Sequence, residues 1–216
     1  MPLTHLLLVV LLCVYHEVLR TSAAETCDGT CCPVSDEGEL LSAVVDRNCR
    51  DIYVYSEISV SNTVTVSRSL TLRGISETAA IVQAHSGRDA LVIRDVITGV
   101  TISDLIIDSR GAQAALVVAN ASNVAVTRTR IFGPSAIFAV FFAGRDVAAG
   151  QASLDNFASR INMDTNNSIT DSVVSSPWTG DSLSFSLQYL GTVRNNTVID
   201  GMAKYTSFRN QYVTLY

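Results

Sequence analysis

The chain has 216 residues, with 15 Lys and Arg against 20 Asp and Glu for a formal net charge of −5. Lys204 is its only lysine and no basic block occurs, which argues against nucleic acid as a partner. Apolar residues make up 48% of the chain, enough for one domain with a real core. Beyond the first residues no apolar stretch approaches the roughly 20 residues that a membrane-spanning helix needs.

Leu6 to Val14 is an unbroken apolar run, followed by Ser22-Ala23-Ala24 with small residues at −3 and −1 of a cleavage after Ala24. Residues 1–24 read as a secretory signal peptide, which leaves no transmembrane segment after cleavage. Residues 25–50 then hold Cys27, Cys31, Cys32 and Cys49, an even number clustered at one end of an exported chain, and these read as disulfides. A bridge between the adjacent Cys31 and Cys32 is geometrically poor, so Cys49 is expected to pair with one of the other three. Zinc is disfavoured because C-x3-C-C lacks the usual C-x2-C spacing. Asp36 followed by Glu39 marks a helix start, Leu40, Leu41, Val44 and Val45 form its apolar stripe, and Arg47 supplies a cation at its C-terminal end.

From residue 51 to 216 the chain reads as strands: Ile52–Tyr55, Val64–Val66, Leu70–Leu72, Ile81-Val82, Leu91–Ile93, Val100–Ile102 and Leu116–Val118. Each run is short, β-branched and bounded by Gly, Ser, Asn or Asp. Two stretches superpose without a gap at a shift of 24 residues, Val100–Asp108 on Val124–Phe132, and Ile169–Val174 recurs at Val193–Val198 with the same shift. Val100, Ile102, Leu105 and Ile107 match Val124, Val126, Thr129 and Ile131. A step of two, three and two means strand, corner, strand. A fixed period of this size means stacked units sharing one core. Residues 143–160 break the register and read as an insertion. The alternating strand Tyr212–Tyr216 ends the chain without a polar cap, so a partner covers it or the protein is longer.

The helix before the strands, the phrase Asp51-Ile52-Tyr53-Val54 … Ser69-Leu70-Thr71-Leu72-Arg73-Gly74, and the later Val-x-Ile coils resemble the pectin-lyase-like superfamily. The resemblance covers residues 37–133 and, more loosely, 161–201. It implies an all-β protein, a right-handed parallel β-helix solenoid with a short N-terminal capping helix, of extracellular glycan-active or adhesive character. Lyases of that superfamily need a general base, or calcium-binding carboxylates, together with a cation on one face, because elimination removes a proton beside a uronate whose charge must be neutralised. Asp95, Asp104, Asp108 and Arg128 are the nearest candidates, with Asp104, Asp108 and Arg128 the weak catalytic set. The 24-residue register sets Arg128 on Asp104, which reads as a surface ladder pair, and Asp171 on Asn195.

The Asn-Thr-Asp, Asp-Asp, Gly-His-Gly and Arg-x-Lys strings of the superfamily's hydrolases are missing, and His85 reads as an exposed turn residue. Asn196 falls on the inward position of Leu105 and reads as an internal amide. Ile137–Phe142 is dense in aromatics and reads as core, with a sugar-stacking platform as its functional reading. Asn120, Asn166 and Asn195 open N-x-S/T sequons and are glycosylation candidates. The sequence therefore leads to a secreted or cell-surface β-helix module that binds an extracellular glycan or protein without catalysis, with no cofactor or metal. The alternative is a polysaccharide lyase or other carbohydrate-active enzyme, and only that alternative calls for calcium.

Overall fold

Short β-branched runs joined by tight polar corners cannot bury their apolar side chains alone, and in this chain they do so by winding. The computed structural model describes residues 30–85, 87–96, 98–110, 114–133, 138–143, 164–175, 181–186, 188–189, 191–199 and 208–210. Strand β1 (Cys31–Val34) precedes helix α1 (Glu37–Val45). The chain then turns through β2 (Asp51–Val54), β3 (Glu57–Val60) and β4 (Val64–Val66), then β5 (Leu70–Gly74), β6 (Ala80–Gln83) and β7 (Leu91–Arg94). Next come β8 (Val100–Ser103), β9 (Ile106–Asp108) and β10 (Ala114–Ala119), and β11 (Val124–Thr127), β12 (Arg130–Phe132) and β13 (Phe138–Ala143). After β14 (Asp164–Thr165) follow β15 (Ser168–Thr170), β16 (Val173–Ser175) and β17 (Asp181–Ser186). The described strands end with β18 (Gln188–Tyr189), β19 (Thr192–Arg194), β20 (Thr197–Ile199) and β21 (Phe208–Asn210).

Three sheets result, ordered β1-β2-β5-β8-β11-β15-β19, β3-β6-β9-β12-β16-β20 and β4-β7-β10-β13-β17-β21, with β14 and β18 paired apart. Every pairing among them is parallel, for example Val100 on Val124 and Ile107 on Ile131. This is the parallel β-solenoid, with a short helix at its N-terminal end, that the repeat implies. The step between coils is 24 residues from β8 to β11 and from β15 to β19. It is shorter from β2 to β5, where Asp51 meets Thr71, and longer from β5 to β8, where Leu70 meets Val100. From β11 to β15, Val126 meets Ile169, and the expected insertion at 143–160 falls within that longer step; Ala143 ends β13, and residues 144–160 lie outside the described residues.

The core is a stack of like positions. Val100, Ile102, Leu105, Ile107 and their counterparts Val124, Val126, Thr129 and Ile131 are all buried. Where the inward positions of the later coils turn polar, backbone groups of the preceding coil pair with them. The hydroxyl of Ser172 accepts from Thr129 N (3.1 Å), and Oδ1 of Asn196 accepts from Ser172 N (3.0 Å) while its Nδ2 donates to Ile169 O (2.8 Å). Fully buried Asn167 does the same one corner away, accepting from Val124 N and donating to Ala121 O. A buried amide left unpaired would cost about 1–3 kcal/mol, so these ladders decide which polar residues the interior tolerates.

At the N-terminal end Asp36 caps α1, its Oδ1 accepting from Glu39 N at 2.9 Å, and Glu39 returns by accepting from Ser35 N at 2.8 Å. Leu40, Ala43 and Val44 are buried against the first coils; Val45, expected on that stripe, is exposed. Arg47 also departs from expectation, because the helix ends at Val45 and has no basic residue in its last turn. The cation comes from the next coil. Arg68 donates from Nη2 to Ala43 O and Cys49 O, both at 2.6 Å, and from Nε to Val44 O at 2.9 Å. It satisfies carbonyls that a helix end otherwise leaves open, and burial holds its pKa below the usual arginine value.

Cys49 is bonded to Cys32, with Cα atoms 5.5 Å apart. This is the expected pairing of Cys49 with one of the other three; Cys31 has no disulfide partner among the described residues, and Cys27 lies outside them. Successive strand residues point to opposite faces, so in β1 only Cys32 is directed at Cys49.

Replacing Arg68 by Met is expected to lower unfolding stability by about 2 kcal/mol, because the carbonyls it serves lose a charged donor. Reducing the Cys32–Cys49 bond should cost about 3 kcal/mol for a loop of this length. Urea denaturation of the two altered proteins beside the parent measures both.

Candidate functional site

A left-handed residue turns the chain from the first sheet to the second in successive coils: Asp104, Arg128, Asp171 and Asn195, with φ between 50° and 56°. Asn and Asp tolerate this conformation because a short polar side chain can hydrogen-bond locally, whereas Arg does so less readily. Parallel stacking then lays these side chains over one another. Arg128 donates from Nε to Asp104 Oδ1 (2.7 Å) and from Nη2 to Oδ2 (2.8 Å), a two-pronged pair, and Arg73 Nε stands 3.6 Å from the same carboxylate. Further along, Asn195 Nδ2 donates to Asp171 Oδ1 at 3.1 Å.

Beside this corner lies an open depression of about 820 Å³. Residues 75–78, which have no counterpart in the 24-residue coils, form one wall with Ile75, Ser76, Glu77 and Thr78, and the rest is lined by Arg73, Asp104, Leu105, Arg128 and Arg130. Gly74 sits at its base, where a Cβ would come within 2.0 Å of the Asp104 carbonyl oxygen, so only glycine allows the coils to meet there. Arg130 projects from β12, exposed, with no partner among the described residues.

The hydrogen bonds from Arg128 hold the Asp104 carboxyl below the usual carboxylate range, and Asp104 raises the pKa of Arg128 in return. A carboxylate so held is a weak proton acceptor, with both oxygens already bonded. The other sequence candidates stand elsewhere. Asp108 ends β9 at the opposite corner, paired in register with Phe132, and its Oδ1 accepts from Arg110 N at 2.8 Å in a local turn. Asp95 lies on the third corner and accepts from Asn120 Nδ2. The solenoid therefore joins Asp104 to Arg128 and separates Asp108 and Asp95 from them. Among the described residues no three of His, Cys, Asp and Glu come together to hold a metal, so the calcium of the lyase alternative finds no such donor set there.

Of the aromatic run, Phe142 is fully buried and Phe141 is half-buried on the third sheet, away from this depression, while Ile137 lies outside the described residues. The side chain of His85 is exposed. The sequon residues Asn166 and Asn195 are exposed ladder rungs, Asn166 donating to Asn123 Oδ1 at 3.0 Å. Sequence reasoning reached Asp104 and Arg128 through the register, but it passed over Arg73, Arg130 and the wall at 75–78. The signal available was the surplus of residues between Leu72 and Val100 relative to the 24-residue coils.

No family model matches the chain, and no curated protein matches it. Among solved structures, the alginate lyase from Paenibacillus sp. str. FPU-7 is similar to it at 12% identity and a TM-score of 0.45, over 77% of this chain and 75% of that one. A likeness this distant says nothing of the chemistry of this chain.

The folded protein holds Asp104 below its unfolded pKa of about 3.9, so the ionised pair contributes stability above that pH and loses it as pH falls through the lowered value. Asp104→Asn should therefore melt below the parent at neutral pH. The gap should close as the buffer is taken below the folded pKa of Asp104, as thermal melts across an acid series would record.

Proposed function

We propose that this protein is an extracellular, non-catalytic module that binds glycan in the depression beside the Asp104–Arg128 corner. The observation that carries the reading is the locked state of Asp104 beside the guanidinium of Arg130, which has no partner among the described residues. Elimination and hydrolysis both need a group free to accept or donate a proton next to a charge stabiliser. Here both oxygens of the Asp104 carboxylate are already engaged by Arg128. What is left suits recognition: the planar guanidinium of Arg130 for carboxylate or hydroxyl oxygens, the hydroxyls of Ser76 and Thr78, and the small apolar surfaces of Ile75 and Leu105 for sugar CH faces.

Several features support export. The apolar leader with its small-residue cleavage site precedes the domain, and a disulfide pins the cap, as suits an oxidising compartment. No helix among the described residues is long and apolar enough to cross a membrane.

Purified protein incubated with polygalacturonate or alginate, with and without calcium, should give no ultraviolet absorbance from unsaturated products. In a glycan array or titration calorimetry it should bind carbohydrate, and the Arg73→Ser, Arg130→Ser double variant should bind several-fold more weakly. Turnover that vanishes in Arg128→Ala would establish the lyase alternative instead.

A further inference from the structure

The three N-x-S/T sequons of the chain each open on a corner of the solenoid, and the corners differ in what they leave to solvent. Asn120, Asn166 and Asn195 all hold the left-handed conformation, with φ of 52°, 58° and 53°. Asn166 and Asn195 are exposed, whereas Asn120 is half-buried. We infer that the secreted protein carries N-linked glycans on Asn166 and Asn195 and none on Asn120. The inference goes beyond the binding of an external glycan and does not depend on it; it rests on the export half of the reading above.

Amide valence allows a glycan on both exposed residues. An asparagine Nδ2 carries two hydrogens, and an attached sugar replaces one of them. Asn195 faces the carboxylate of Asp171, which can only accept, and gives one hydrogen to its Oδ1 at 3.1 Å. Asn166 gives one to Asn123 Oδ1 at 3.0 Å. Each keeps a second hydrogen with no acceptor among the described residues, so the ladder bond and a glycan coexist. At Asn120 the corner is closed. Its Nδ2 donates to Asp95 from a half-buried position, Ala121 beside it is fully buried, and Ser122 N donates to Val96 O at 2.8 Å. A glycan must stay in water, so one attached there would force this corner open.

The chemistry is a group transfer. Nδ2 attacks the anomeric carbon of an oligosaccharide carried on a lipid pyrophosphate. The new C–N bond replaces the C–O bond to the pyrophosphate, which leaves with the lipid, and the amide proton passes to a base. Donor and transferase belong to the secretory route that the apolar leader and the Cys32–Cys49 bond support. Transfer precedes folding, and a chain modified at Asn120 would fail to close its coil and be retained, so the selection is read in secreted molecules. Asn166 stands just before β15 and Asn195 just after β19, which places both glycans at the margins of the first sheet.

Site mapping on the full chain secreted from cultured insect or mammalian cells tests this. Peptide N-glycosidase in heavy-oxygen water, followed by peptide mass spectrometry, should mark Asn166 and Asn195 in most molecules and leave Asn120 unmarked. Ser168→Ala and Thr197→Val each remove a sequon but keep the asparagine and its ladder bond. Each should abolish the mark at its own site alone and increase gel mobility by one glycan's shift, while Ser122→Ala should leave mobility unchanged. A mark on Asn120 in secreted protein, or its absence from Asn166 or Asn195, overturns the inference with the export reading intact. Protein that stays in the cell, unmarked and with its leader uncleaved, overturns both.

Discussion

Everything in this fold follows from parallel stacking in register. Neighbouring strands lie about 4.8 Å apart, so each side chain sits directly on the residue at the same position one coil away. A position is judged by its column and not by its neighbours in sequence. Leu105, Thr129, Ser172 and Asn196 occupy one inward column, and the change from apolar to polar along it holds because Thr129 bonds within its own coil while Ser172 and Asn196 bond back to backbone groups of the coil before. Gly74 is dictated in the same way by the carbonyl of Asp104 one coil on.

The corner column shows how that constraint reaches the surface chemistry. Charged side chains in one column at this spacing must alternate in sign or repel, and Asp104, Arg128 and Asp171 alternate. The same pairing that satisfies the ladder engages both carboxylate oxygens of Asp104. A cation outside the column, such as the exposed Arg130 on β12, is under no such demand and has no partner among the described residues.

Legibility in the sequence tracks this distinction. The copies at 24 residues placed the buried positions, the pairing of Arg128 with Asp104 and the inward turn of Asn196, because all three are column properties. Coils of other lengths were harder to read. Strand β3, with the sequence Glu57-Ile58-Ser59-Val60, went unseen because its coil is shorter than the repeat and offers no aligned copy. The wall at residues 75–78 lengthens its coil at a corner, where no periodicity operates. The capping role of Arg68 joins a loop to a helix end, and nothing local in the sequence distinguishes it from Arg47. Which of the clustered cysteines meets Cys49 is set by strand alternation, which points Cys32 toward it and Cys31 away.

The register and the locked corner meet in one pair of residues 24 apart in sequence, so a double-mutant cycle on Asp104 and Arg128 tests them together. Asn at both positions keeps the left-handed corner accessible, and equilibrium unfolding of the parent, the two single variants and the double gives the coupling. Stacked and two-pronged, though partly exposed, the pair should couple by about 0.5–1 kcal/mol at low salt and by less at high salt. A coupling of zero at low salt would contradict the two-pronged stacking of Arg128 on Asp104.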